Sequence, residues 1–173
     1  MKNRYSFSED GKTCSIYFIN GEHFVIDACD FNLVSQFTWW LGKRGYPVAK
    51  TSRKSKEGHK SITVHSLLLR PVPGFDVDHI SGDKMDNRRV NLRRCTHQQN
   101  MFNQRMKKTN TSGYSGVSRI KSCGKYEAYI HRDGKKHYLG LYETAQEAAK
   151  ARDAAAKIMF GEFVRLNCGE VVA

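Results

Sequence analysis

Apolar and polar residues alternate with the two-residue period of β-strands on both sides of Asn20-Gly21. This dipeptide favours the tight turn of a hairpin, because both residues tolerate a positive φ. We therefore expect a hairpin across residues 14–28. Apolar residues then recur at helical spacing from Asp30 to Phe37, which predicts a short helix with Asp30 as its N-cap.

A strand–loop–strand–helix pattern occupies the middle of the chain. An apolar segment that ends in Asp78-His79 is followed by a polar loop, and residues 91–96 return as a second strand. Thr96 and Gln99 have the spacing of a capping box, which predicts that a helix begins there. The segment should therefore form a β-hairpin followed by a helix, with polar groups on both strands.

The last third of the chain shows three strand patterns and then a helical one. Strands are expected over residues 114–120, 125–132 and 136–142. A Thr-x-x-Glu capping box at residues 144–147 predicts the start of a helix that continues to about Phe160. We expect five residues of this helix to face the sheet: Ala148, Ala151, Ala155, Ile158 and Met159.

Residues 105–112 separate these two patterns. They are polar and basic and have no apolar period, which is typical of a linker. The chain is therefore expected to be an α+β protein with two parts, residues 1–104 and 113–168. The second part should be a three-stranded antiparallel sheet packed on one helix.

Composition narrows the class of protein. Of 173 residues, 29 are Lys or Arg and 17 are Asp or Glu, so the net charge is +12. The mean hydropathy is −0.62 and no apolar run is long enough to cross a bilayer, so no membrane association is expected. The N-terminus lacks the apolar core of a signal peptide. The five cysteines lie far apart, so neither a disulfide framework nor a structural zinc site is expected, and a reducing cytoplasm suits them.

The positive charge is concentrated in the middle of the chain. Residues 43–108 contain sixteen Lys or Arg and five acidic residues, whereas residues 1–42 are slightly acidic and residues 109–173 have a net charge of +3. A polyanion is the expected partner, and nucleic acid is the commonest one. A basic face that is simply solvated is the alternative.

Asp78, His79 and Asn100 are suited to phosphodiester hydrolysis. Water needs a base for activation at neutral pH, and the neutral imidazole of His79 is a suitable one. Carboxylate and amide oxygens hold Mg²⁺ or Mn²⁺ and leave positions for phosphate and water. Asp78 and Asn100 supply such oxygens if the helix packs against the hairpin.

Residues 65–100 resemble the HNH nuclease motif, the ββα-metal fold, in the form found in phage-type homing endonucleases. Four segments carry the resemblance in the family's order: His-Ser-Leu-Leu-Leu, Val-Asp-His-Ile-Ser-Gly-Asp, Asp-Asn-Arg-Arg-Val-Asn-Leu-Arg and Thr-His-Gln-Gln-Asn. The resemblance implies a metal-dependent DNA endonuclease and assigns residues 1–104 to the nuclease module. A phage-encoded enzyme would work in the cytoplasm of its bacterial host.

The resemblance also implies a role for each motif residue. Asp78 and Asn100 would bind one divalent cation, Mg²⁺ or Mn²⁺, and His79 would be the general base. Asn91 would brace the loop and orient His79 through backbone contacts. Many members of the family have His where this chain has Asn100, and His97, one helical turn earlier, is the alternative ligand.

Residues 110–167 resemble the DNA-binding domain of Apetala and ethylene-response factors. Tyr-Ser-Gly-Val, Lys-Tyr-Glu-Ala-Tyr-Ile and Tyr-Leu-Gly-Leu-Tyr-Glu-Thr-Ala carry this resemblance. It implies that the outer face of the sheet enters the major groove of double-stranded DNA. Strand alternation places Ala128 and Ile130 towards the helix. The candidates for DNA contact are Arg119, Lys121, Lys125, Tyr129, His131, Lys136 and Tyr138.

This second resemblance is incomplete. Ser115 and Ser118 stand where arginines are common in the family, and Tyr138 stands where Trp is usual. The resemblance therefore does not imply a target DNA sequence.

The first part of the chain also contributes candidates for phosphate contact. They are the exposed basic residues expected near the hairpin: Lys43, Arg44, Arg53, Lys54, Arg88, Arg89, Arg93 and Arg94. The leading segment should support the hairpin. The protein is expected to be a monomer or a weak homodimer.

Two other functions compete with a nuclease. A DNA-binding transcriptional regulator with a catalytically inactive HNH fold would bind DNA without cutting it. A basic RNA-binding structural protein would need neither Asp78-His79 nor the sheet, because the deep, narrow major groove of RNA does not admit such an element.

Overall fold

The computed structural model describes residues 2–55, 58–103 and 110–168, and the side chains of residues 52–60 lie outside this description. The chain divides into two units, Met1–His97 and Gln98–Ala173. Residues 105–109 of the predicted linker lie outside the described residues, so the linker stays a prediction.

The first unit begins with a three-stranded antiparallel sheet in the order β1-β2-β3. Its strands are β1 (Arg4–Phe7), β2 (Thr13–Tyr17) and β3 (His23–Asp27). The hairpin predicted around Asn20-Gly21 is confirmed, and Gly21 has the positive φ, 89°, that the turn requires. Helix α1 (Phe31–Val34) follows a 3-10 turn and ends before Phe37. Asp30 precedes α1 but its side chain does not cap it.

A second sheet and a hairpin complete this unit. The sheet has the order β4-β5-β6, and a two-stranded ribbon pairs β7 with β8. The remaining elements are β4 (Trp39–Leu41), β5 (Pro47–Ser55), β6 (Gly58–Thr63), α2 (Val64–Leu69), β7 (Phe75–His79), β8 (Leu92–Thr96) and α3 (His97–Phe102), which crosses the division between the units.

One hydrophobic core joins these sheets. Phe24, Val34, Trp39, Val64 and Leu92 belong to it, and each is at least 94% buried. Removing such side chains from water stabilises a fold by about 1.5–3 kcal/mol each. Leu92 lies beside the end of β7 in the ribbon register, so the core also anchors the hairpin predicted to carry the chemistry.

The second unit has a sheet in the order β11-β10-β9 and a helix that packs on it. Its elements are β9 (Val117–Arg119), β10 (Tyr126–Arg132), β11 (Lys135–Tyr142) and α4 (Ala145–Phe160). The predicted capping box is confirmed: Thr144 accepts a hydrogen bond from the Glu147 backbone, and the Glu147 carboxylate bonds back to the Thr144 N–H. Ala128 and Ile130 are buried, as strand alternation predicted. The fold class is α+β.

The predicted inward stripe of α4 is partly wrong. Ile158 is 87% exposed, whereas Arg152 and Asp153 are buried. Asp153 accepts hydrogen bonds from Arg152 and from the backbone N–H groups of Asn167 and Cys168. Because the C-terminal segment is tied to Asp153, that side of α4 faces inward and Ile158 faces solvent. Among the described helices, none combines the length and the apolar character needed to cross a membrane.

Candidate active site

The β7–β8 hairpin carries Asp78 and His79. In its register Asp78 lies opposite Arg93, and His79 lies opposite Leu92. Both residues are buried, with 7% of Asp78 and 4% of His79 exposed. Burying an ionisable side chain is unfavourable unless other groups compensate for the lost hydration. The partners of these two side chains therefore define the site.

Asn91 braces the loop that joins β7 to β8. Its Oδ1 accepts a hydrogen bond from the backbone N–H of Ser81 at 2.8 Å, and its Nδ2 donates to the carbonyl of Asp86 at 2.7 Å. The backbone N–H of Ile80 donates to the carbonyl of Asn91 at 2.8 Å. These contacts close the loop at both ends. They are backbone contacts of the kind predicted for Asn91, and its effect on His79 stays a prediction.

Strand β3 holds the same loop from its other side. The backbone N–H of Val25 donates to the carbonyl of Met85, and that of Asn87 donates to the carbonyl of Val25, both at 2.8 Å. The carboxylate of Asp27 accepts a hydrogen bond from the backbone N–H of Arg89 at 2.7 Å. The leading segment, which we expected to support the hairpin, therefore contacts its loop directly.

Three neighbouring side chains surround the imidazole of His79. Its Nε2 forms a hydrogen bond of 3.2 Å with Oδ1 of Asn87. The centroid of the ring lies 5.9 Å from that of Tyr46 and 5.1 Å from that of His65. Burial lowers the pKa of His79, although the Asn87 hydrogen bond and the Asp78 charge act in the opposite direction. The environment favours the neutral imidazole, which is the form that a general base requires.

His65 is a second buried imidazole beside His79. The hydroxyl of Thr63 donates to Ser66, so Nε2 of His65 donates to Thr63, at a distance of 3.0 Å. Within the part of the chain that the structure describes, Nδ1 of His65 has no hydrogen-bond partner. Burial and the neighbouring His79 lower the pKa of His65 to about 4. His65 therefore presents a neutral ring to His79.

Asp78 forms a buried ion pair with Arg93. Nε and Nη2 of Arg93 donate to the same carboxylate oxygen, Oδ2, at 3.1 and 3.0 Å. Only 13% of the Arg93 side chain and 8% of the Asp78 side chain are exposed. The guanidinium supplies the positive charge that makes burial of this carboxylate tolerable.

The two predicted metal ligands lie in different units. Asp78 is the penultimate residue of β7 in the first unit, and Asn100 lies in α3 within the second unit. The pairing of Asp78 with Asn100 therefore stays a prediction. The alternative ligand His97 is exposed, and its Nδ1 lies 3.0 Å from the carboxylate of Asp76.

A carboxylate and an amide fit a divalent cation by chemistry. Oxygen ligands are those that Mg²⁺ prefers, and Mg²⁺ keeps several waters when the protein supplies only one or two ligands. Among the described residues, no group of three or more His, Cys, Asp and Glu side chains is placed to hold a metal ion. A cation at Asp78 would therefore depend mainly on water and phosphate for its other ligands.

Besides Arg93, two further arginines predicted to contact phosphate have carboxylate partners. Nε and Nη2 of Arg88 donate to Asp86 at 2.8 and 2.7 Å. The same two atoms of Arg89 donate to Asp30 at 2.9 and 2.7 Å. These pairs hold the loop near β8, and DNA contact by these arginines stays a prediction.

The other basic candidates of the first unit differ in their surroundings. Arg94 donates a short hydrogen bond to the carbonyl of Leu69. Lys43 and Arg44 are exposed and lie in the turn between β4 and β5. Arg53 and Lys54 are in β5, and their side chains lie outside the described residues. All of these remain candidates for phosphate contact.

In the second unit, the structure brings Tyr129, His131 and Lys136 together. The rings of Tyr129 and His131 lie 5.5 Å apart, and the Lys136 ammonium lies 4.4 Å from the centre of the Tyr129 ring. Lys136 also pairs with Glu127 at 2.8 Å. The remaining candidates, all exposed or half-buried, are Arg119, Lys121, Lys125 and Tyr138.

Sequence reasoning missed Asn87 and Tyr46 as neighbours of His79. Asn87 lies in a polar loop between two strands, although its side chain is fully buried. Its contact with His79 joins residues eight positions apart across a loop, and no helix or strand period predicts such a contact. A polar residue at the centre of a loop gives only a weak signal of burial.

Comparison with known proteins identifies similar chains. A family model described as HNH endonuclease matches residues 71–102. The uncharacterized HNH endonuclease L560 of Acanthamoeba polyphaga mimivirus is 36% identical over 137 residues, which are 78% of this chain and 69% of the viral protein. The dehydration-responsive element-binding protein 2A of Arabidopsis thaliana is 46% identical over 56 residues, which are 31% of this chain and 16% of the plant protein.

A solved structure of the HNH homing endonuclease I-HmuI, described with DNA binding and cleavage, is also similar. It is 18% identical, and the match covers 92% of this chain and 91% of that chain. The TM-score is 0.33, which is too low to establish a common overall arrangement.

Proposed function

Because this chain belongs to the HNH endonuclease family, we propose that it hydrolyses phosphodiester bonds of double-stranded DNA, with His79 as the general base. The observation that carries the proposal is the buried, neutral imidazole of His79 beside the Asp78–Arg93 pair. Both residues of the Asp-His pair lie within the segment that matches the family model.

Asp78 and Asn100 are the residues that would hold one divalent cation, Mg²⁺ or Mn²⁺. When bound, such a cation stabilises the charge of the transition state and of the leaving 3′ oxygen. His79 accepts a proton from the attacking water, whose oxygen forms the new bond to phosphorus as the bond from phosphorus to the 3′ oxygen breaks. The leaving 3′ oxygen then takes a proton from solvent water. Asn91 keeps the loop closed while this happens. Exposed basic side chains of the first unit would bind the flanking phosphates.

The second unit would position the enzyme on its substrate. We propose that the face with Tyr129, His131 and Lys136 enters the major groove, as the resemblance to Apetala-type domains implies. The plant DNA-element-binding relative supports this proposal by its sequence similarity. Phosphate contacts would supply most of the affinity, and the sheet would add sequence preference.

The proposal predicts metal-dependent cutting of a supercoiled plasmid. With Mg²⁺ or Mn²⁺ the protein should convert the plasmid to open-circular or linear DNA. With excess chelator it should leave the plasmid intact, because no cation then stabilises the negative charge of the transition state. Gel electrophoresis of timed samples measures this directly. Open circles would indicate a nick by one site per chain, and early linear product would indicate a dimer.

The same assay tests the rival functions. Salt-sensitive binding to DNA without cutting in either metal would favour a regulator with an inactive HNH fold. Equal affinity for duplex RNA and duplex DNA would favour the RNA-binding alternative.

The pH dependence of cleavage should reflect the buried position of His79. Protonated His79 cannot accept a proton from water, so kcat/KM should fall as the pH drops through the pKa of His79 in the free enzyme. Burial lowers this pKa from its ordinary value of 6.5, so the acid side of the profile should bend below pH 6.5. Initial rates at subsaturating DNA measure the profile. A bend well above that value would contradict the assignment.

Replacing Arg119 by alanine should weaken DNA binding by removing an exposed cation from strand β9 of the proposed DNA-binding sheet. The slope of log K against log salt should fall by about one if Arg119 contacts a phosphate. Fluorescence anisotropy at several salt concentrations gives the slope. Lys157→Ala is the matched control, because it removes one charge from an exposed position on α4. An equal effect of the two variants would refute a specific role for the sheet.

A further inference from the structure

The Asn87 amide lies against the proposed general base and is completely buried. Its two Nδ2 hydrogens are directed to the loop backbone: Nδ2 donates to the carbonyl of Lys84 at 3.0 Å and to that of Met85 at 3.3 Å. These contacts fix the orientation of the amide, because the opposite orientation would place its oxygen against two carbonyl oxygens. Oδ1 is therefore the atom that faces His79.

An amide oxygen only accepts hydrogen bonds. Since Oδ1 of Asn87 lies 3.2 Å from Nε2 of His79, the proton of the neutral imidazole must be on Nε2. The other ring nitrogen, Nδ1, then carries the lone pair. A histidine accepts a proton from water only through the nitrogen that carries its lone pair, so the tautomer decides which atom acts as the base.

We propose that Asn87 is a positioning residue that holds His79 in the Nε2–H tautomer and so makes Nδ1 the atom that accepts the proton from water. This inference rests on the proposed nuclease function. The Asn91 side chain closes the loop through contacts with backbone groups, whereas the Asn87 side chain contacts the imidazole itself. The two asparagines therefore have separate tasks.

The N-terminal sheet fixes the position of Asn87. Its backbone N–H donates to the carbonyl of Val25 in β3 at 2.8 Å, and the neighbouring Met85 carbonyl accepts from Val25 at the same distance. Asn87 is thus held by its backbone on one side and by its amide on the other. Because Asn87 is fixed in this way, it can hold the His79 imidazole in one orientation.

Nuclear magnetic resonance of the full chain tests the proposal without any cleavage assay. Long-range ¹H–¹⁵N spectra distinguish the two tautomers, because a protonated ring nitrogen and one with a lone pair resonate far apart. The His79 signals are assigned by their loss in His79→Gln. At a pH above the ordinary histidine pKa of 6.5, the wild type should show a protonated Nε2 and an unprotonated Nδ1. A protonated Nδ1 would overturn the proposal.

Two variants separate positioning from structure. Asn87→Ala should mix the two tautomers and lower kcat by about 10- to 100-fold, because the base is then poorly aligned. DNA affinity should be unchanged. Asn87→Asp keeps an acceptor oxygen towards His79, and its second oxygen, which faces the Lys84 and Met85 carbonyls, is expected to carry a proton and donate to one of them. This variant should restore the Nε2–H spectrum and part of kcat. Val90→Ala, at a position that is 77% exposed in the same loop, should change neither.

Each outcome bears on one proposal. If folded Asn87→Ala keeps both the Nε2–H spectrum and the wild-type kcat, the positioning role is refuted. If Asn87→Ala fails to fold, the spectra of the wild type and of Asn87→Asp still decide. An Nδ1–H spectrum in an active nuclease would refute this inference alone. If the protein cuts no DNA but shows the Nε2–H spectrum, the proposed function is refuted. The hydrogen bond between Asn87 and His79 is still supported in that case.

Discussion

His79→Ala should cut DNA about 10²–10⁴-fold more slowly than the wild type, because loss of a general base removes the group that activates water. DNA affinity should be nearly unchanged, since the His79 side chain is buried and the exposed basic residues remain. The rate is measured with the metal-dependent plasmid assay, and the affinity by anisotropy in the presence of chelator.

The matched control for this variant is His23→Ala. His23 is an exposed histidine of β3 and belongs to the same unit. It should cut DNA at the wild-type rate. Wild-type cleavage by His79→Ala would show that another residue activates the water. Loss of DNA binding by His79→Ala would mean instead that the first unit had lost its fold.

Asp153→Ala should destabilise the second unit by about 3–5 kcal/mol, because it leaves the buried guanidinium of Arg152 without its carboxylate partner. The substitution also removes the acceptor for the backbone N–H groups of Asn167 and Cys168. A domain of this size has only a few kcal/mol of net stability. The unit should therefore be largely unfolded at room temperature.

Thermal denaturation of the full chain, followed by circular dichroism, measures this effect. The variant should lose the transition of the second unit and keep that of the first. Lys150→Ala, which changes an exposed residue of the same helix, should melt like the wild type. An unchanged melting curve for Asp153→Ala would mean that the Asp153 hydrogen bonds contribute little to stability.

Local signals in the sequence predicted the elements well. Asn20-Gly21 predicted the hairpin of β2 and β3, and the Thr144 capping box predicted the start of α4. Both signals act over a few residues, so the rest of the fold hardly affects them. Alternation also predicted the buried face of β10, because Ala128 and Ile130 are two positions apart.

Tertiary contacts explain where the predictions were incomplete. Asp30 follows the pattern of an N-cap, but its carboxylate binds Arg89, which is 59 positions away. Ile158 has the character of a core residue, yet the buried Arg152–Asp153 pair brings another face of α4 inward. In the site, Asp78 and His79 were identified by their spacing within a motif. Arg93 contacts Asp78 and Asn87 contacts His79 only once β7, β8 and the loop have folded together. Short-range sequence patterns therefore do not predict these two contacts.

The hydrogen bonds between Val25 and the loop at 85–87 limit what could be transplanted from this protein. The family match begins at residue 71, yet the loop is held by a strand some sixty positions earlier in the chain. A chimera that grafts only residues 65–100 onto another scaffold would carry Asp78 and His79 without the strand that fixes their loop. A segment transferred with its loop intact therefore has to include the leading sheet together with the motif, whether it is transferred by inheritance or by engineering.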